Sequence, residues 1–514
     1  MLWGPAALVA VAIALPLLYL SLRALGGGMA ALEVLWQPHT LAVLGRTLAL
    51  AAVVPLACAL IAVPLAWLTV RTDLPLRRMW TVLTVLPLVI PSYVVGFLIV
   101  AALGPRGLLQ QTLAPLGVER LPDIYGFPGA ALTLTLLSFP YILLPVRASL
   151  QRMDPALDEA ARSLGRSRWR TFCTVTLPLL RPSLAAGMLL TALYTLSDFG
   201  AVSLLRYETF TWAIFLQYQT AFDRALAATL SVALIALALG LLWMESRTRG
   251  RAAYHRVTGG SQRPPAIIRL GAWRWAALAF CALIVALALV LPMSVLGYWA
   301  LRGLAAGQTV AVLWGALWNS VYVSALAAFA ALLAGAPVAV LLVRHRGKLS
   351  AFVDKAAHVG FGLPGIVIAL ALVFFGANIV TPLYQSLGLL VFAYVTLFLA
   401  AALGPLQATL REVNPRLEEA ARGLGRTPAR VFLSVTLPLM RPGILAAGAL
   451  VFLLTMKELP ATLLLSPLGF DTLATSIWSA ASEAYFAQAA APALLLILVS
   501  AVPMTILTLR RLKQ

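Results

Sequence analysis

Charge is scarce in this chain, and the residues that usually build reactive or metal-binding sites are scarcer. Of 514 residues only 11% are Asp, Glu, Lys or Arg, and just 18 are acidic. Soluble globular domains carry about 25% charged residues, so a surface of that ordinary kind is excluded. The cysteines Cys58, Cys173 and Cys281 stand far apart, which argues against a disulfide framework and against a thiolate metal site. The histidines His39, His255, His345 and His358 are equally scattered, and no nucleophile–base grouping marks an enzyme. No Gly-x-x-x-x-Gly-Lys-Ser/Thr string occurs, so no phosphate-cradling loop of that type is present. The first apolar stretch lacks a basic n-region, and Leu25-Gly26-Gly27-Gly28 is a poor cleavage site. It is expected to be a retained span rather than a signal peptide.

What is present is hydrophobic: 61% of the residues, with a mean hydropathy of +0.94. Apolar runs long enough to cross a bilayer, about 20 residues each, recur along the chain. Six are expected in each half: 6–25, 42–70, 80–104, 129–148, 184–205 and 225–244, then 274–300, 318–343, 356–378, 383–406, 444–465 and 488–509. The expected fold is an all-α membrane protein of about twelve transmembrane helices.

The formal net charge is +20, which invites a nucleic-acid reading, but its placement argues otherwise. Basic residues gather in alternate loops: Arg71, Arg77 and Arg78; Arg147 through Arg181; Arg247, Arg249, Arg251, Arg256, Arg263 and Arg269; Arg344, Arg346 and Lys348; the stretch around 411–441; and Arg510, Arg511 and Lys513. The other loops hold scattered charges such as Glu33, Arg106, Glu119, Arg120, Glu208 and Asp223. This is the positive-inside pattern. It places both termini and the basic loops in the cytoplasm, against a lipid bilayer with anionic headgroups, with no nucleic-acid partner.

One polar island occurs twice. Asp158-Glu159-Ala160-Ala161-Arg162-Ser163-Leu164-Gly165 leads to Leu177-Pro178 and Arg181-Pro182; Glu418-Glu419-Ala420-Ala421-Arg422-Gly423-Leu424-Gly425 leads to Leu437-Pro438 and Arg441-Pro442. Sixteen of the 25 residues from 158 to 182 equal their partners 260 positions later. The repeat reaches further: Pro64 and Arg71 match Pro337 and Arg344, and Pro91 matches Pro364, at an offset of 273. With six spans per half, the halves enter the membrane the same way up, a parallel repeat. The expected organisation is a first half 1–244, a cytoplasmic linker 245–272 and a second half 273–514.

Each island has helix punctuation. Asp154-Pro155 and Asn414-Pro415 read as cap and first turn, and Gly165 and Gly425 as left-handed ends. Ser167 and Thr427 start a second short helix, which the Leu-Pro and Arg-Pro steps are expected to end. A helix–turn–helix at the cytoplasmic surface results, with a small Ala-Ala face for close approach and a glutamate for a partner cation. A merely lipid-anchoring amphipathic helix would not require the same Gly, Pro and Glu positions twice.

Glu-Ala-Ala, three residues, Gly and a downstream Leu-Pro resemble the EAA loop of ABC importer permeases. The resemblance covers both halves, near 154–182 and 414–442, and implies a type I importer permease fold. It implies that Glu159, Ala160, Ala161 and Gly165, with Glu419, Ala420, Ala421 and Gly425, dock on ATPase subunits. Two copies of a cytoplasmic ABC ATPase are then the partners. They would carry ATP and Mg, and this chain would bind no cofactor itself.

Few ionisable residues lie deep in a span. Asp198 and Glu458 correspond at the offset of 260, each 14 residues into its expected span, about 20 Å along a helix. Intramembrane charge is expensive and faces a partner or an aqueous path. Lys457 could pair with either acid and lock the halves, or the three could line a path; both readings stand. Outside, Glu208-Thr209 corresponds to Asp471-Thr472, with Tyr207, Tyr218 and Tyr485 nearby. Carboxylates and phenolates suit hard cations, although an ordinary solvated loop fits as well.

Ser197-Asp198-Phe199-Gly200-Ala201 and Lys457-Glu458-Leu459-Pro460-Ala461, with Phe470-Asp471-Thr472 following, resemble the fused permeases of ferric-iron ABC importers. That resemblance implies an inner-membrane permease, not an enzyme, fed by an extracytoplasmic iron-binding protein. Iron would make transient contacts near Asp198 and Glu458 and hold no stable site. Fused thiamine permeases share the layout, and polyamine permeases share the loop. A secondary transporter also uses twelve spans in parallel halves, but it gives no account of the islands.

Overall fold

The computed structural model describes residues 3–26, 33–219, 224–248, 267–307, 311–345 and 347–512. Arg249, Arg251, Arg256, Arg263, Arg346 and Lys513, with Asp223 and His255, lie outside the described residues, as does most of the expected linker. Among the described residues the fold is all-α, with one isolated extended pairing, Thr72 with Ile268.

Among the described residues nine helices are long and apolar enough to cross a bilayer, and ten when Pro428–Leu439 and Arg441–Met456, bent by 75°, count as one span. Two shorter apolar helices, Gly365–Asn378 and Phe486–Ala501, fall where the ninth and twelfth spans are expected. These segments fall on the twelve expected spans, several of which are interrupted, and the interruptions have local causes. In 80–104 the chain forms Arg77–Leu83, a 3-10 turn Leu86–Val89, and then Ser92–Leu103. In 356–378 it forms Lys348–Gly362 and Gly365–Asn378. The residues preceding Pro91 and Pro364, Ile90 (ψ 127) and Leu363 (ψ 143), are extended. The following proline ring disfavours helical geometry there.

The chain packs as two compact units. One contains Pro38–Trp212 and Ala236–Tyr298; the other contains Met1–Gln37, Ala213–Ile235 and Trp299–Gln514. Within the former, Phe127–Arg152 packs between Pro38–Arg71 and Leu177–Ser197. Within the latter, Leu387–Glu412 packs between Ala311–Arg344 and Arg441–Met456. These are the same spans of the repeat, so each unit has the same three-helix centre. Both central helices bury 72% of their most apolar window, against 28% for Gly4–Ala24. The peripheral first span thus presents mainly apolar surface outward, as a lipid-facing helix must. It belongs to the unit built from the second half and packs on Ala311–Arg344, Lys348–Gly362 and Gly365–Asn378. Its counterpart Arg274–Val285 belongs to the unit built from the first half and packs there on Pro38–Arg71.

Candidate functional site

The islands fold as their punctuation requires. Asp154 accepts the Ala156 N–H (3.0 Å) at the start of helix Pro155–Ser163, and Asn414 accepts the Arg416 N–H (3.0 Å) at the start of Pro415–Gly423. Each helix closes with a left-handed glycine, Gly165 at φ 81 and Gly425 at φ 80. The Gly165 and Arg166 N–H groups return to the carbonyls of Arg162 and Ala161; Gly425 and Arg426 do the same to Arg422 and Ala421. Orphan carbonyls at the helix end are thereby satisfied. Ser167 and Thr427 cap the next turn through the Arg170 and Arg430 N–H groups.

Glu159, Ala160, Glu419 and Ala420 are exposed, whereas Ala161 and Ala421 turn inward and are buried. The outward face therefore uses one alanine of each pair. Between alanine and glycine stands a residue that the motif does not single out. Leu164 is 80% exposed and Leu424 84%, an apolar crest on each polar island. The repeated Leu-Gly step was its only sequence signal.

The first acid of each island faces the other way. Asp158 Oδ2 lies 3.5 Å from Arg71 Nη1, and its Oδ1 accepts the Thr176 hydroxyl (3.2 Å). Glu418 Oε1 lies 3.1 Å from Arg344 Nη2 and accepts the Thr436 hydroxyl (3.1 Å). Arg344 also donates to the Val413 carbonyl (3.0 Å), next to the Asn414 cap. Both arginines end long second spans of their halves, Pro38–Arg71 and Ala311–Arg344. Each island is thus braced against a membrane helix. Charge and spacing alone marked Arg71 and Arg344 as topology signals, because they lie more than 70 residues from the acids they meet.

A different clasp lies beside Arg71. The Ile268 N–H donates to the Arg71 carbonyl (2.8 Å), the Asp73 N–H to the Ile268 carbonyl (3.2 Å), and the Leu270 N–H to Asp73 Oδ1 (2.8 Å). The exit of the linker is thereby stitched to the loop after the second span.

The expected end of the second short helix is found in the second half and is corrected in the first. In the first half, helix Arg168–Thr171 passes through a π turn, Phe172–Thr176, straight into Leu177–Ser197. In the second, a matching π turn, Phe432–Thr436, leads to a break at Met440. A helical proline lacks its N–H and crowds the carbonyl four residues back. For Pro178 and Pro438 those carbonyls belong to Thr174 and Ser434, inside the π turns. The wider turn absorbs the proline and lets the helix continue.

Asp198 and Glu458 do not sit within unbroken helices. Asp198 (φ −67, ψ 128) separates Leu177–Ser197 from Gly200–Leu204, and Lys457-Glu458-Leu459 separates Arg441–Met456 from Pro460–Leu465. Asp198 Oδ1 accepts the Ala201 and Val202 N–H groups (3.0 and 3.3 Å). Glu458 Oε1 accepts the Ala461 N–H (3.3 Å). Within a bilayer these donors cannot turn to water, so the acids supply the acceptors that the broken helices need.

At the outer pair, Glu208 is engaged: Oε2 accepts from Arg46 Nη1 (2.9 Å), and Oε1 lies 3.1 Å from His39 Nε2. The Tyr207 O–H donates to the Arg46 carbonyl (3.1 Å). Burial pushes the Tyr207 phenol up, which the Arg46 charge partly offsets, so it is no ready phenolate ligand. Asp471 is exposed, and its carbonyl accepts from Asn319 Nδ2 (2.9 Å). Asn319 occupies the repeat position of Arg46. Next to each, Thr47 and Ser320 accept the Phe210 and Leu473 N–H groups (3.1 and 2.8 Å). Among the described residues no three His, Cys, Asp or Glu side chains gather in one place.

A family model described as binding-protein-dependent transport system inner membrane component matches residues 59–245 and again 327–510. The chain is 34% identical over 504 residues to the Fe(3+)-transport system permease protein FbpB 2 of Haemophilus influenzae, covering 97% of this chain and 96% of that protein. It is 24% identical over 461 residues to the putative ferric transport system permease protein FbpB 1 of the same organism, covering 84% and 72%. The molybdenum transport system permease protein ModB of Escherichia coli is 36% identical over 203 residues, which is 36% of this chain and 85% of that protein.

Proposed function

This chain belongs to the binding-protein-dependent transport system inner membrane components, and from that premise we propose that it forms the membrane path of an ABC importer for ferric iron. The observation that carries the substrate is the end-to-end match, both halves included, to a relative named for Fe(3+) transport. The molybdenum relative aligns with about a third of this chain, which supports a shared permease half and no particular cargo.

Two copies of a cytoplasmic ATPase, holding ATP and Mg, would dock on the islands. Glu159 and Glu419 offer charge, Leu164 and Leu424 an apolar knob, and Gly165 and Gly425 the tight turn behind it. Closure of the ATPases would push the islands. The Asp158–Arg71 and Glu418–Arg344 braces would pass that push to the second spans. An external iron-binding protein would deliver the ion to the outer face, where Asp471 is exposed and Glu208 is held by Arg46. The ion's route would pass the junctions at Asp198 and Lys457-Glu458, with transient contacts and no resident metal. The positive-inside pattern supports cytoplasmic termini, linker and islands.

The test is ATP-dependent uptake of radiolabelled ferric iron into proteoliposomes that contain this chain with its ATPase, with iron-loaded binding protein supplied outside. Uptake requiring both ATP and loaded binding protein is expected. ATPase stimulation without iron uptake would keep the importer class and remove iron, with molybdate, sulfate, thiamine and polyamines tried next.

A further inference from the structure

The two span junctions solve one packing problem with different residues. In the first half, Ser92 opens helix Ser92–Leu103 directly after Pro91. Its side chain lies beside the Asp198 carboxylate and the Tyr194 phenol. In the second half, Gly365 opens helix Gly365–Asn378 directly after Pro364. A Cβ placed on Gly365 would lie 2.5 Å from Glu458 Oε1. The acid that is one methylene longer thus fills the space that a side chain at position 365 would need. The repeat position of Tyr194 is Leu454, so where the serine is absent, the phenol beside it is absent too.

Size and polarity therefore change together at three positions, and the function of the contact is retained. In both halves a carboxylate accepts the first N–H groups of a short half-helix, Gly200–Leu204 or Pro460–Leu465, while pressed against the start of the helix that follows a broken proline step. The paired half-helices, Ser92–Leu103 with Gly200–Leu204 and Gly365–Asn378 with Pro460–Leu465, pack on one another.

We propose that Ser92–Tyr194–Asp198 and Gly365–Leu454–Glu458 are interchangeable versions of one latch, in which the acid ties together the two broken spans of its half and residue 92 or 365 decides which acid fits. This rests on the transport reading and deepens it. Asp198 and Glu458 are positioning residues, holding the junctions that the ion passes, and one oxygen of each, Asp198 Oδ1 and Glu458 Oε1, accepts backbone N–H groups.

Transplanting the latch tests this in the assembled complex with ATPase and binding protein. Gly365→Ser alone, and Asp198→Glu alone, should each lower the thermal midpoint of the complex and reduce ATP-dependent uptake about tenfold, as overpacking in a filled site does. Gly365→Ser with Leu454→Tyr and Glu458→Asp should return both to within about twofold of the parent, the coupling that contacting residues show. Ser92→Gly with Tyr194→Leu and Asp198→Glu should do the same. Triple variants no better than the singles would overturn the latch. Asp198→Asn and Glu458→Gln keep an acceptor oxygen and lose the charge, so most uptake should remain. Abolished uptake with an unchanged midpoint would make the acids ion ligands and end the proposal. The midpoint is read without iron, so failure of the parent to import iron would sink the cargo assignment while the midpoints still decide the latch.

Discussion

The two halves agree closely at their islands and differ in detail at the junctions and at the Glu208 and Asp471 loops. Both islands have the same cap, left-handed glycine, exposed leucine, inward acid, threonine and arginine brace. Even Arg166 to Thr174 and Arg426 to Ser434 repeat, both at 2.7 Å. At the junctions the residues differ while the contact persists. At the Glu208 and Asp471 loops contacts differ as well: Glu208 is clamped by Arg46, whereas Asp471 stands exposed beside Asn319. The linker clasp on Asp73 belongs to the first half, as does the exposed Trp169 stacked on Phe172, whose counterpart is Ala429. On the proposed reading, closely matched islands would suit two copies of one ATPase. On the same reading, a face that would meet one asymmetric binding protein would have no reason to stay symmetric.

The largest break in that symmetry comes from reversing the exposed charge. Glu159→Arg together with Glu419→Arg should cut ATP-driven uptake by at least about a hundredfold, because juxtaposed like charges at an interface cost several kcal/mol. Membrane insertion should be unchanged. Each single change should cost the same as the other, measured by uptake and by binding-protein-stimulated ATPase activity. Normal uptake by the double variant would sink the coupling assignment.

The braces should separate the halves. Arg344 holds both Glu418 and the Val413 carbonyl at 3.0–3.1 Å, whereas Arg71 meets Asp158 at 3.5 Å. Arg344→Ala should therefore weaken coupling more than Arg71→Ala, by about 1–2 kcal/mol, the scale of one charged hydrogen bond. Coupled ATPase rates of the two variants, compared side by side, check this; equal losses would mean that the shorter contacts carry nothing extra. The smallest effect restores symmetry. Gly165→Ala and Gly425→Ala each place a Cβ in a left-handed turn, which costs about 1–2 kcal/mol. The two shifts in thermal midpoint should be alike.

Much of this was legible in the sequence because it is local. Caps, glycine turns and span positions depend on residues within a few places of one another, and the duplication printed them twice. The braces were not legible, since Arg71 and Asp158 lie 87 positions apart and both looked sufficiently explained by topology and helix dipole. The junctions were half legible. The acids stood out as charges in apolar runs, but Ser92 and Gly365 carry no signal until the fold sets them against Asp198 and Glu458.

The sequence by itself determined the membrane class, the internal repeat and the local structure of the islands, because hydropathy and helix punctuation act through neighbours along the chain. The tertiary structure alone decided which acid of each island is exposed and which is braced, where spans break, and that the first span packs with the second half's helices. Those outcomes depend on which distant residues share a contact, and side-chain volume and hydrogen-bond satisfaction settle that only after the helices have met.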